Sequence, residues 1–150
     1  HMMTTIKNQY NRLPSIVINN AGISHVGLFT DTTPEMWNKI LTTNLNSAYH
    51  CSYLTIPSML QAGKGIIINI SSTNAIDTYY PESIDYDASK AGVISLTHNF
   101  AKCYAPNIRV NALALGWVNT DMNKDMYLEF KKCEEEKILL KRLKQSFFPI

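Results

Sequence analysis

Three short apolar runs rich in β-branched residues, residues 15–19, Gly65–Ser72 and Ile108–Leu115, are separated by long stretches with helical spacing. Runs that stay apolar on successive residues, without alternation, are what strands buried on both faces require. The stretches between them are long enough for crossover helices, and strand, helix, strand, helix, strand with right-handed crossovers builds a parallel sheet. The expected class is α/β, with about three parallel strands flanked by helices. Ligands of such open sheets gather at the carboxyl ends of the strands. Gly22, Ser72 and Gly116 all lie at that edge, at or just past a strand end.

The helices are signalled locally. Ile6, Tyr10 and Leu13 predict a short helix over about 4–12 that runs into Leu13-Pro14. Thr32-Thr33-Pro34-Glu35 reads as a capping box with proline in the first turn, opening a helix over 34–61 through Trp37, Leu41, Leu45, Tyr49 and Tyr53. Pro57 is expected to kink it or to mark its last turns, with Gly63 and Gly65 closing it. Val93, Leu96, Phe100 and Ala101 predict a helix over 85–104 that Pro106 ends. Residues 116–122 read as a loop, and 125–144 as a charged helix.

At 150 residues the chain is expected to be a single domain, 1–150, with His1-Met2 ahead of Met3 read as a cloning scar. Fourteen basic against 12 acidic residues, with no basic stripe interleaved with aromatics, argue against a nucleic-acid partner. No stretch reaches the ~20 apolar residues of a membrane span, and none has the apolar core of a signal peptide. Cys51, Cys103 and Cys133 are odd in number and far apart, as expected of reduced thiols in a cytoplasmic protein. His25, His50 and His98 lack metal-ligand spacing, so no metal is expected.

The chemistry starts at Tyr86 and Lys90, four residues apart and therefore on one helix face. A phenol ionises near pH ~10 in water, and a neighbouring cation favours the phenolate, making it a proton donor and acceptor nearer neutrality. Ser71-Ser72 ends the second strand, and Asn44 sits mid-helix, where its propensity is poor and a functional or backbone-bonding reason is expected. A nucleophile elbow of GxSxG type is absent, which removes a serine hydrolase of that design.

Asn19-Asn20-Ala21-Gly22, Asn44-Leu45, Ile68-Asn69-Ile70-Ser71-Ser72 and the Tyr86 to Lys90 pentad occur together and in order, followed by Arg109-Val110-Asn111 and Gly116-Trp117-Val118. With these motifs the chain resembles the short-chain dehydrogenase/reductase family from about Ile6 to Met122, and more faintly to Phe147. By general look it is nearest the 3-oxoacyl carrier-protein reductase branch. The resemblance implies a partial Rossmann-like fold and an oxidoreductase that interconverts a carbonyl and an alcohol with NAD or NADP. Tyr86 would be the general acid, and Lys90 would depress its pKa and hold the nicotinamide ribose. Ser72, the second of its pair, would bond the substrate oxygen, and Asn44 would anchor a proton-relaying water. Asn20, Ala21 and Gly22 would pass close to the cofactor together with Gly116, Val118 would meet the carboxamide, and Thr120 a phosphate.

Two departures from the family pattern stand out. Leu115 occupies the place before Gly116 where proline is usual, and the family's glycine-rich phosphate turn belongs to a first strand not present in these 150 residues. The residue that selects NAD or NADP lies on the family's second strand, likewise not present. A truncated and catalytically impaired reductase remnant, acting as a binding or self-assembly module, is therefore the alternative reading. Another polypeptide could also complete the fold. The helices over 34–61 and 85–104 resemble those by which family members dimerise, so a homo-oligomer is expected with a small carbonyl or alcohol as substrate. Substrate choice would sit in the variable segment 123–137.

Overall fold

The computed structural model describes residues 2–77, 79–123 and 126–145. His1, Asp125 and Phe147, named above, lie outside the described residues. The chain divides into two compact units, one ending at Ala114 and the other starting at Leu115.

In the first unit α1 (Met2–Tyr10) precedes β1 (Ile16–Asn19), then α2 (Pro34–Leu41), α3 (Ser47–Gln61), β2 (Gly65–Ser72), α4 (Ile84–Tyr104) and all but the last residue of β3 (Ile108–Leu115). The sheet runs β1-β2-β3 with β2 in the middle, and β1 pairs in parallel with β2 in the register Ile16 to Ile66 through Asn19 to Asn69. Mixed α/β architecture with a three-stranded parallel sheet flanked by helices is thus the observed class.

Local chemistry explains the boundaries. Thr33 caps α2 by accepting the Met36 N–H at 3.3 Å, and Pro34 supplies the first turn without wasting a donor. The helix read over 34–61 is continuous, but Thr42–Asn46 is a π turn that joins α2 to α3. Pro57 lies inside α3, which runs on to Gln61. Gly63, at φ 68°, then takes the left-handed conformation that ends the helix, and Lys64 N–H bonds the Met59 carbonyl at 3.1 Å.

Ile56, Met59, Ile67, Ile108 and Val110 form the core, flanked by Val17, Phe100, Ala101 and Tyr104. The central strand β2 is the most buried of the three. On the edge strand β1, by contrast, Ile16 and Ile18 are 55% and 60% exposed. A polar lattice crosses the same layer: Asn19 Nδ2 donates to Asn69 Oδ1 at 2.7 Å, and Asn69 Nδ2 to Thr97 Oγ1 at 2.8 Å, tying β1, β2 and α4 together. α4 also lies close against the π turn. A Cβ on Gly92 would come within 2.8 Å of Leu45 Cδ2, so only a glycine permits this approach without displacing Leu45.

In the second unit β4 (Val118–Asn119) pairs in parallel with β5 (Lys144–Gln145), and α5 (Leu128–Lys137) lies between them in sequence. The helix expected over 125–144 is thus shorter than its charge pattern implies. Lys141 takes φ 52°, which no α-helix accommodates, and Lys144 N–H leaves the helical ladder to bond the Trp117 carbonyl at 3.1 Å. Among the described residues, no helix is long and apolar enough to cross a membrane.

Candidate active site

The strand ends and one helix face bring the predicted residues of the first unit together. Ser72 is the last residue of β2, and Tyr86 and Lys90 occupy the first turns of α4. Ser72 lies near enough to the Tyr86 phenol to favour its ionised form, and the Lys90 ammonium lies 5.6 Å from the centroid of the Tyr86 ring. Lys90 is 4% exposed, and its Nζ donates to the Ile70 carbonyl at 2.9 Å. The two serines part roles because successive strand side chains point to opposite faces. Ser71 donates to the Lys90 carbonyl at 2.9 Å and fastens α4 to β2, whereas Ser72 accepts the Asn74 N–H at 3.2 Å and caps the turn beyond.

Asn44, 2% exposed, enters from the π turn. Its Oδ1 accepts the Ile23 N–H at 2.8 Å, while its Nδ2 donates to the Ile23 carbonyl at 2.9 Å and to Ser89 Oγ at 3.0 Å. Ser89 in turn donates to the Tyr86 carbonyl at 2.7 Å. One amide therefore clamps the loop after β1 and, through Ser89, the turn of α4 that carries Tyr86. Gly22 sits in that loop, where a Cβ would approach Lys90 Nζ to 3.3 Å and Asn44 Oδ1 to 3.7 Å. Asn20 and Ala21 precede it on the exposed side of the strand end. Gly116, Val118 and Thr120 belong to the second unit, with Val118 in β4 and Thr120 just beyond it. Among the described residues no group of His, Cys, Asp or Glu could hold a metal.

Burial sets the electrostatics. It pushes the Tyr86 phenol above its ordinary value of 10.0, an effect that the Ser72 hydrogen bond opposes and the Asp87 charge reinforces. The Lys90 ammonium is pushed below its ordinary 10.5 by the same loss of solvent. The net shift of the phenol is therefore upward, against the direction that its spacing from Lys90 suggests, because desolvation of the phenolate is the largest effect on it. The signs give a stability test. As pH rises past about 10 the unfolded phenol ionises while the folded one keeps its proton, so the Tyr86 contribution is lost through its folded pKa. Lys90 acts the other way, since the folded state sheds its proton first and gains stability as pH climbs toward about 10.5. Chemical denaturation of wild type and Tyr86→Phe should differ by a constant amount below about pH 9, with wild type losing ground above pH 10.

Other members of the site carry weaker sequence signals. Asp87 holds the 73–83 loop by accepting from Asn74 Nδ2 at 2.8 Å, Ser83 Oγ at 3.1 Å and the Tyr80 N–H at 3.3 Å. Asp85 is 1% exposed and accepts the Tyr86 N–H at 2.7 Å through Oδ1. Ser89 was signalled only by standing one residue before Lys90. A cleft of about 470 Å³ between the 73–83 loop and α4 is lined by Ile84, Asp87, Ala88 and Ala91, a face of the helix other than that of Tyr86 and Lys90.

Comparison with known proteins finds relatives that match most of this chain. The sequence model described as short chain dehydrogenase matches residues 1–129. The 3-oxoacyl-[acyl-carrier-protein] reductase FabG of Chlamydia trachomatis serovar D is 37% identical over 119 residues, which are 79% of this chain and 47% of that protein. The D-beta-hydroxybutyrate dehydrogenase of Cupriavidus necator is 38% identical over 108 residues, 71% of this chain and 42% of that one. Among solved structures, a gluconate 5-dehydrogenase from Burkholderia cenocepacia J2315 in complex with NADP and tartrate superposes with a TM-score of 0.89 at 25% identity, over 95% of this chain and 56% of that one. The chain thus spans about half the length of the curated relatives it matches.

Proposed function

The chain belongs to the short-chain dehydrogenase family, and from that premise we propose that it interconverts a small carbonyl compound and its alcohol, with NAD or NADP as hydride carrier. The observation that carries the proposal is the Tyr86 phenol brought beside Ser72 at the end of β2, with the buried Lys90 ammonium 5.6 Å from the centroid of its ring. When bound, the nicotinamide supplies or accepts the hydride. Tyr86 gives its proton to the carbonyl oxygen, and the Ser72 hydroxyl bonds the same oxygen as negative charge builds there. Lys90, braced by the Ile70 carbonyl, stabilises the phenolate that remains. Asn44 holds the loop after β1 in place, and a water relay to Lys90 would draw on its remaining Oδ1 lone pair or on the backbone of the π turn.

The residues present fit the nicotinamide and ribose end of such a cofactor. Gly22 leaves open the approach to Lys90 Nζ that a Cβ would narrow to 3.3 Å. Lys90 would hold the ribose hydroxyls, and the backbone of Asn20, Ala21 and Gly22 would pass close by. Val118 would meet the carboxamide, and Thr120 a phosphate. A second reading, an impaired module that works by binding or self-assembly, draws on the exposed Ile16 and Ile18 of edge strand β1, an apolar edge open to pairing with another chain. Titrating NADPH and NADH against the purified chain, followed by a panel of carbonyl compounds, separates the two. Saturable binding with hydride transfer is the expected result. No binding of either nucleotide and no turnover would remove the oxidoreductase reading in favour of the second.

A further inference from the structure

We infer that Glu134 is a positioning residue that holds the segment Val118–Asn119 and the adjoining Thr120 in place, an inference whose catalytic meaning rests on the cofactor contacts proposed for Val118 and Thr120. Glu134 is 4% exposed although it lies on α5, a helix whose other charged residues face solvent or its margin. A carboxylate is rarely buried without partners, because leaving water costs more than a single contact returns. Both of its oxygens are used. Oε2 accepts the Trp117 indole N–H at 3.0 Å, and Oε1 accepts from Lys137 Nζ at 2.6 Å. The Lys137 side chain is 61% exposed, so the ion pair keeps one end in water.

Trp117 is the residue immediately before Val118, and everything around it converges on the same short segment. Its ring stands edge-on to Phe130 of α5 at 5.8 Å between centroids. Its carbonyl accepts the Lys144 N–H at 3.1 Å, which opens the β4–β5 pairing. Asn123 closes the far side, its Nδ2 donating to the Val118 carbonyl at 2.8 Å and its N–H to the Thr120 carbonyl at 3.0 Å. β4 is only two residues long, and a strand that short cannot hold its conformation by ladder bonds alone. The charge-assisted indole bond ties α5 to this segment, and bonds of that kind are about twice as strong as neutral ones. Glu134 thereby sets where the backbone of residues 118–120 lies.

Hydrogen exchange and nucleotide titration on the whole chain test this with three variants. Glu134→Ala and Trp117→Phe are each expected to speed amide exchange at Val118, Asn119 and Thr120 by about ten-fold or more, with the amides of β2 unchanged. Glu134→Gln keeps an oxygen for the indole and should stay within about three-fold of wild type, a rescue that loss of bulk packing would not produce. The double variant Glu134→Ala, Trp117→Phe should be no worse than the worse single one, because both remove the same bond. The NADPH dissociation constant should rise about ten-fold in Glu134→Ala and little in Glu134→Gln. Exchange at 118–120 that ignores Glu134→Ala overturns the inference whether or not nucleotide binds. Exchange that responds while the dissociation constant stays within two-fold, roughly, overturns its link to the cofactor. If wild type binds neither nucleotide but the exchange pattern appears, the anchor stands and the proposed oxidoreductase function is what fails.

Discussion

Replacing Tyr86 by phenylalanine is expected to lower carbonyl reduction by about 10²–10⁴-fold while leaving the chain folded. The substitution removes one oxygen and nothing else. The ring still packs under the Lys90 ammonium, which lies 5.6 Å from its centroid. Its backbone still gives the N–H to Asp85 and the carbonyl to Ser89. What is lost is the proton that, in the proposed reaction, the substrate oxygen receives, while the Ser72 hydroxyl keeps its bonds to Asn74. Removing a single partly buried hydroxyl changes stability by about 1 kcal/mol, small beside the kinetic effect. Steady-state rates, set beside far-ultraviolet circular dichroism and nucleotide affinity, check this. A variant that keeps more than about half of the wild-type rate would show that some other group delivers the proton.

Asn44→Ala is expected to be the most damaging single change to the fold around the site, at about 2–4 kcal/mol. Alanine has the better helix propensity, so a helix considered by itself would gain. The loss comes from across the structure. Without the amide, the N–H and carbonyl of Ile23 and the hydroxyl of Ser89 all lose a partner at 2.8–3.0 Å. Each partly buried polar group left unpaired costs ~1–3 kcal/mol, partly recovered where water can enter. The loop bearing Gly22 is therefore expected to loosen. Denaturant unfolding measures the first effect, and faster exchange of the Ile23 amide the second. A loss below about 1 kcal/mol would mean that the loop is held by something else.

The opposite signs of propensity and stability at Asn44 show where sequence reading runs out. Its position mid-helix signalled that some reason must exist, but not that the reason is a backbone clamp onto Ile23. The π turn that aims it has no local signature in Thr42-Thr43-Asn44-Leu45-Asn46. Tyr86 and Lys90 were legible as a pair because residues four apart share a helix face whatever surrounds them. Their titration was not, since it depends on how much solvent the assembled strand ends exclude. The charged pattern of 131–137 signals a helix, yet it does not single out Glu134, which turns inward to Trp117 while its charged neighbours in that run are exposed or half-buried.

The positions of the three strands, helix limits at Thr33, Gly63 and Pro106, and the residue types at the strand ends follow from periodicity, capping and turn chemistry, which act over a few neighbouring residues and so are written in the chain itself. The tertiary structure alone decided that Asn44 and Ser89, 45 positions apart, would share a hydrogen bond, that the phenol of Tyr86 would hold its proton more tightly than in water, and that the helical pattern after Lys137 would give way to a strand beside Val118. In each case the deciding energy is desolvation or a hydrogen bond between distant segments. Its size depends on what the folded chain brings near and what it keeps water from reaching.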